Sequence, residues 1–574
     1  MKEGAAKMRK NKHFFSCFVS VLMIISIVTN GCSHDDTNAN VTVKKNDTAQ
    51  MQKAQKTPFG KYPKEISYTL GKMTGANNSN MPENDNYENN AYTRYLKEKL
   101  NIQNKDVFEV PDEEYDSFVS MAMATGNLPD VMLVRSHEEL EELVKKDLIA
   151  DLSEVYENCA SKTIKEIYQS YDKSLLSGVR FEGKLMALPE TNIDDGPNLF
   201  WVRKDWMDKL GLQEPKTMQD VEEIVTAFVK KNPGENGPGE TVGLLCDTKL
   251  TGECGYSSQY LMDIVFSCYG AYPKQWIENK DKEVVYGSIQ PEVKKALFKL
   301  HEYYKNGVLD KGFLLRTTNN LKELIINGKA GAFFGPWWSP NNPLVDAVRK
   351  NSRADWKPYL ITTDGTVTNY FSQNPTYKYV VVRKGFKHPE IVVKILNVLF
   401  DYARYQDKSA NEIAKYYQWN VDPTARPLAI NVDYNDALQR CYHNLRMVMN
   451  GVKAESNLEV LERSYYDSCQ SYKNNPKEAS AEDWAAYASR IEACSVIGEG
   501  KIKKIPSLYF GKTKTMQKNW WKLQELEEKT FLEIVSGAKP ISYFDRFVAK
   551  WKKQKGNLIT NEVQQELKEE KITQ

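Results

Sequence analysis

The 574-residue chain is short of the features that mark an enzyme or a nucleic-acid binder. Its 78 basic and 76 acidic residues leave a net charge of +2, so no broad field draws polyanions to its surface and no nucleic acid is expected as a partner. Six histidines are scattered without an H-E-x-x-H or triad-like setting, and no G-x-S-x-G is present, which removes the usual metal-hydrolase and nucleophile signatures. The nine cysteines show no CxxC or Cys/His spacing, so no metal site is expected, and no cofactor is expected either. Cys246 and Cys254 could close a small loop in an oxidising exterior, but buried free thiols are the simpler expectation. The mainly apolar run 14–28 falls short of the roughly 20 residues that span a bilayer.

What is present begins with that run. Lys2, Lys7, Arg9, Lys10 and Lys12 precede it and Gly31-Cys32 follow, the pattern of a secretory signal over 1–31. Cys32 resembles the lipidated cysteine of a bacterial lipoprotein, although Thr29 and Asn30 depart from the usual residues before it. The stretch 32–61 is rich in Asp, Asn, Thr, Lys and Gln, and reads as a polar tether with too few apolar residues to fold. What remains is too long for one core and suits two lobes. Eleven Trp and 32 Tyr exceed the needs of such cores, so rings are expected on surfaces or in a cleft.

The most informative stretch runs from Phe181 to Phe228. A short apolar segment, 184–189, ends at Pro189, and a second bulky segment, 198–203, follows it. Asp205 is expected to cap a helix that carries Trp206, Met207 and Leu210 and stops at Gly211; Thr217 with Asp220 opens the next. Earlier, 64–73 reads as the first strand, with helices over 91–100, 112–124 and 138–146; alternating strand and helix implies a largely parallel sheet covered on both faces. Further on, a helix over 291–306 is expected to stop at Gly307 and pack on the second sheet. Additional helices are read over 391–402, 484–491 and 516–531.

The words in this order, F-E-G-K-L-M-A-L-P, then W-V-R-K-D-W-M-x-x-L-G-L-x-x-P-K-T-M, resemble bacterial extracellular solute-binding proteins of the sugar-binding type, relatives of maltodextrin-binding protein. T-G-N-L-P-D-V at 125–131 and N-G-K-A-G-A-F-F-G-P-W-W at 327–338 are similar to further motifs of that family, in its large Gram-positive branch. The resemblance implies an α/β, two-lobe periplasmic-binding-protein-like fold of type II with hinge crossings. It implies a first lobe of 62–190 with about 373–400, and a second of 191–372 with most of 401–574. It also implies a monomer held to the membrane by a lipid anchor, which closes on a carbohydrate and passes it to an ABC importer's permease.

Ligand contacts are expected from Trp337 or Trp338, set by the Gly335-Pro336 turn so that one ring packs and one faces a sugar. Asn192 and Asp194 lie just past the crossover strand, Trp201 and Arg203 on the strand after it, Tyr370 near the return crossing, and Asp85 with Asn86 in a first-lobe loop. A secreted glycoside hydrolase is the rival reading, with Glu190, Asp194 and Asp195 as its available acids. A peptide or other polar solute also remains open as the ligand.

Overall fold

The computed structural model describes residues 47–75, 81–171, 174–252, 259–363, 365–371, 374–419 and 421–573. The chain divides into two units, Met1–Ala49 and Gln50–Gln574, and both lobes belong to the second. The apolar run 14–28, Cys32 and Cys254 lie outside the described residues. Cys246 is a buried free thiol.

The strands that position the site are β1 (Ile66–Thr74), β2 (Ile102–Pro111), β3 (Val131–Val134), β4 (Leu188–Pro189), β5 (Leu199–Arg203), β6 (Ala332–Gly335), β7 (Trp356–Tyr359), β8 (Thr368–Phe371), β9 (Tyr379–Val382) and β10 (Ile502–Ile505). The first lobe holds a five-stranded sheet in the order β2-β1-β3-β9-β4. β1 is parallel to β2 and β3, whereas β9 is antiparallel to β3 and β4. Every residue of β3 and β9 is buried, as in strands covered on both faces. The chain reaches β9 only after it has built most of the second lobe, so this strand stitches the return crossing into the first core. The expected strand over 184–189 is split: Lys184–Leu185 pairs in a hairpin with Arg180–Phe181, and only β4 joins the sheet.

In the second lobe β5 lies between β6 and β7, antiparallel to both and buried along its whole length. β8 and β10 form a separate parallel pair. Helix Pro291–Asn306 has Pro291 at its first position and ends at Gly307 in the left-handed region, φ 77°. It packs along helix Met516–Val535, and its buried Val293, Leu297 and Leu300 share a core with Phe200, Val202 and Phe334 of the sheet. Helix Met218–Lys231 opens with the Thr217/Asp220 capping box expected from the sequence. Asp205 does not cap its helix, which starts at Lys204; it sits in the first turn and pairs with Arg203 instead.

With most of 401–574 expected in the second lobe, the segment from Ala403 to Val432 packs into the first-lobe core through Ile413, Tyr416, Leu428 and Ile430. The end of the polar tether is folded: Ala54 is buried, and the buried Lys394 ammonium donates to Ala54 O, Thr57 O and Gly60 O at 2.5, 3.2 and 2.6 Å. Asn397 Nδ2 adds a bond to Pro58 O at 3.0 Å. Ala54 and Met51 pack on the first-lobe core, and the hydrogen bonds come from residues far along the chain, which is why the strap's own composition suggests no fold.

Candidate functional site

The lobes are joined by three extended segments that lie side by side. Along the crossover strand, Glu190 N donates to Lys378 O at 2.8 Å and Asn192 N to Pro375 O at 2.9 Å. Between them Thr191 N points the other way and donates to Asn431 O at 2.9 Å, as successive amides of an extended chain must. Asp194 N continues to Asn435 O at 2.8 Å, and Asp433 N donates to Thr191 Oγ1 at 2.8 Å. The crossover therefore runs between the return segment, 374–378, and a third crossing, 431–435. Arg404 fixes that third crossing by pairing with Asp433 at 2.6 Å and donating to Asn431 Oδ1 at 3.1 Å.

Three of the expected site residues meet here in supporting roles. Asn192 Nδ2 donates to Asn374 O at 2.9 Å. Asp194 Oδ2 accepts from Tyr370 Oη at 3.0 Å and Lys504 Nζ at 2.9 Å, while its Oδ1 accepts from Gly196 N at 3.0 Å. Tyr370 and Lys504 are register partners across β8 and β10, so the strand pairing itself aims both at this carboxylate. Burial, helped by the Asp194 charge, pushes the Tyr370 hydroxyl well above the ordinary tyrosine range. Glu190 is buried beside Lys378 at 3.2 Å, and burial raises its pKa against that cation.

Trp201 and Arg203 do not line a ligand wall. Trp201 is 0 % exposed in the middle of the central strand, with Nε1 donating to Pro336 O at 3.1 Å. Arg203 is buried, pairs with Asp205 at 2.5 Å and lies 4.8 Å over the Trp206 ring. All five residues of this strand are buried, so both of its faces are covered, and the bulky sequence alone does not reveal that covering. Asp85 and Asn86 are likewise engaged within the first lobe. Asp85 pairs with Arg94 at 2.8 Å and accepts from Tyr416 Oη; these bonds hold its carboxyl below the usual range although burial works the other way. Asn86 Oδ1 accepts from Glu88 N and Asn89 N at 3.0 and 2.8 Å, tightening the loop before helix Ala91–Leu100.

The Gly335-Pro336 turn separates its two indoles. Ser339 N donates to Pro336 O at 3.0 Å, closing a turn with Trp337 and Trp338 at its centre. Trp337 is 7 % exposed; its Nε1 donates to Asp195 Oδ1 at 2.9 Å, and the Arg490 guanidinium covers one ring face at 4.4 Å. Trp338 is half-buried and keeps accessible surface. The bond to Asp195, one residue beyond Asp194, sets this turn beside the crossings. Sequence reasoning misses Arg490, Lys504 and the third crossing, because none of them stands in a motif. Among the described residues no group of three His, Cys, Asp or Glu side chains is placed to hold a metal ion.

Known proteins share this architecture. The polygalacturonan/rhamnogalacturonan-binding protein YtcQ of Bacillus subtilis is 24% identical over 262 residues, 45% of this chain and 48% of that protein. The fructooligosaccharide ABC transporter substrate-binding protein FusA of Streptococcus pneumoniae is 21% identical over 259 residues, 43% of this chain and 45% of its own length. The chain thus spans about half the length of the curated relatives it matches. In fold it is similar to FusA solved with kestose, TM-score 0.58 at 14% identity, over 89% of this chain and 100% of that one. An extracellular solute-binding protein from Bifidobacterium longum subsp. infantis gives a TM-score of 0.59 at 14% identity, over 88% and 98%. The model of the bacterial extracellular solute-binding protein family matches residues 78–403, more than half of the chain. The protein belongs to the bacterial extracellular solute-binding family.

Proposed function

We propose that this protein is the lipid-anchored substrate-binding component of an ABC importer, and that it captures an oligosaccharide by closing its two lobes about the triple crossing. The observation that carries the reading is the 336–338 turn: Trp337 is braced by Asp195 and Arg490, which leaves Trp338 as the accessible indole next to the crossings. An indole face suits the C–H face of a pyranose, and a rigid turn presents it at little entropic cost. The names of YtcQ and FusA, both saccharide binders, favour the same ligand class. The apolar run before Gly31-Cys32, and a relative named lipoprotein LipO, favour the anchor.

Hydrolysis finds less support. Two carboxylates would have to face each other across a glycosidic bond, one of them protonated. Glu190 is tied to Lys378, Asp194 to Tyr370 and Lys504, and Asp195 to Trp337. Titration calorimetry of the chain from Ser33 onward, which retains every described residue, against an oligosaccharide panel tests the proposal. Binding without turnover is expected, and Trp338→Ala should weaken it about tenfold, the equivalent of ~1.4 kcal/mol of stacking. Released product, or full affinity in the Trp338 variant, would overturn it.

A further inference from the structure

Arg490 braces Trp337, but bracing a ring does not by itself call for a charged side chain. It lies in a π-helical turn, Ala488–Ala493, between the α-helical segments Ala481–Tyr487 and Cys494–Glu499. Such turns displace side chains from the regular helical register and recur at functional sites. Here the displaced guanidinium lies between two rings, 4.4 Å from Trp337 and 4.2 Å from Tyr465. Tyr465 comes from a separate helix, Val460–Asn474, so three elements converge on one cation.

The charge of Arg490 is balanced differently from that of two other buried arginines, although Arg426, over the Tyr92 and Phe400 rings, also pairs with no acid among the described residues. Arg203 has Asp205 at 2.5 Å and Arg404 has Asp433 at 2.6 Å. No carboxylate pairs with Arg490 among the described residues, and its Nε is buried without a hydrogen-bond partner. Of the acids on neighbouring segments, Asp195 accepts from Trp337, and Glu492 pairs with Lys357 at 2.8 Å. Two aromatic faces ease the burial of a guanidinium but do not cancel a full charge. Part of the side chain remains accessible, next to the turn that carries Trp338.

We propose that Arg490 is a carboxylate-recognition residue of the saccharide site, and that the bound oligosaccharide therefore carries a uronic acid unit. This rests on the saccharide reading above and goes beyond it. A guanidinium clamped between rings presents its N–H fork in a fixed plane, which matches the two oxygens of a planar carboxylate and spends little side-chain entropy on binding. A sugar seated on Trp338 would place a neighbouring unit's carboxylate near the fork. A neutral sugar would leave the arginine uncompensated.

The test uses trisaccharides of galacturonate, glucuronate, mannuronate and guluronate, each beside its methyl ester, titrated into wild type, Arg490→Gln and Arg490→Lys. The wild type should prefer one acid over its ester by at least about tenfold, a preference that shrinks with added salt. Arg490→Gln should erase that preference, bringing acid affinity down to that of the ester; any loss from a loosened Trp337 falls on acid and ester alike and leaves their ratio unchanged. Arg490→Lys, which keeps the charge and loses the planar fork, should retain only part of it, and it serves as the readout if the glutamine variant fails to fold. A residue that merely braces Trp337 would, when replaced, weaken acid and ester alike and keep the preference. That outcome, or a wild type that does not distinguish any acid from its ester, overturns the inference. Binding of neutral oligosaccharides without acid preference would leave the saccharide reading standing, whereas failure of every saccharide would sink that reading itself.

Discussion

Replacing Lys394 with methionine removes one ammonium and leaves three carbonyls, those of Ala54, Thr57 and Gly60, without their donor. The side chain is 0 % exposed and lies 4.8 Å over the Tyr62 ring, so methionine fits the volume but offers no hydrogen. An orphaned buried carbonyl costs at least about 1 kcal/mol, and three together come to roughly 3 kcal/mol. The strap can recover that loss by peeling away and letting water reach the carbonyls, so the penalty appears as local opening rather than global unfolding. About 3 kcal/mol corresponds to roughly a hundredfold larger open population. Lys53 and Lys56 lie in the strap and keep accessible surface, which makes limited trypsinolysis a direct assay. Cleavage at these two lysines should accelerate by about two orders of magnitude in Lys394→Met while the rest of the chain stays intact. Unchanged cleavage would refute the claim that residues 50–61 are a docked part of the first lobe.

Two further outcomes concern the second lobe and the crossings. Glu527 is buried and accepts from Tyr286 Oη at 3.0 Å and Ser288 Oγ at 2.8 Å; burial pushes its pKa from 4.5 to about 7. A raised acid stabilises the fold fully below its unfolded pKa, and that contribution is lost as pH rises through the folded value. Thermal stability should therefore fall between about pH 4.5 and 8, and Glu527→Gln, which mimics the protonated acid, should flatten the fall and gain on the order of 2–3 kcal/mol at pH 8.5. A variant with the wild-type pH profile would remove Glu527 as the cause. Asp194→Ala deprives Tyr370 and Lys504 of their shared acceptor; with Lys504 partly exposed the loss should be about 1–2 kcal/mol, read as faster amide exchange in β8 and β10. Unaltered exchange there would mean that the carboxylate does not hold the pair.

Much of the scaffold is local and legible in the sequence. Helix Ala91–Leu100 follows the Asn90 cap, helix Pro291–Asn306 runs from a proline to a glycine, and Gly211 and Thr217 fall at helix boundaries as expected. The turn that separates Trp337 from Trp338 is legible too, because Gly-Pro chemistry is short-range. What stays hidden depends on partners far along the chain. Lys394 reaches back to residue 54, and the third crossing pairs Asn431 with Thr191. Trp201 is misplaced in the cleft by sequence reasoning because a bulky strand residue gives no hint of whether the face it points from is covered. Arg490 carries no motif, and a π turn has no sequence signature of its own.

The central claim is that the lobes close on a saccharide about the triple crossing. Glu138, on first-lobe helix His137–Lys145, lies 3.9 Å from Lys512 of the second lobe, so this pair reports the gap between the lobes. Spin labels placed at 138 and 512 should give a longer, broader distance distribution in the free protein and a short, narrow one once a bound oligosaccharide saturates it. The same distribution with and without a sugar that calorimetry shows to be bound would contradict closure, and with it the proposed mechanism of capture.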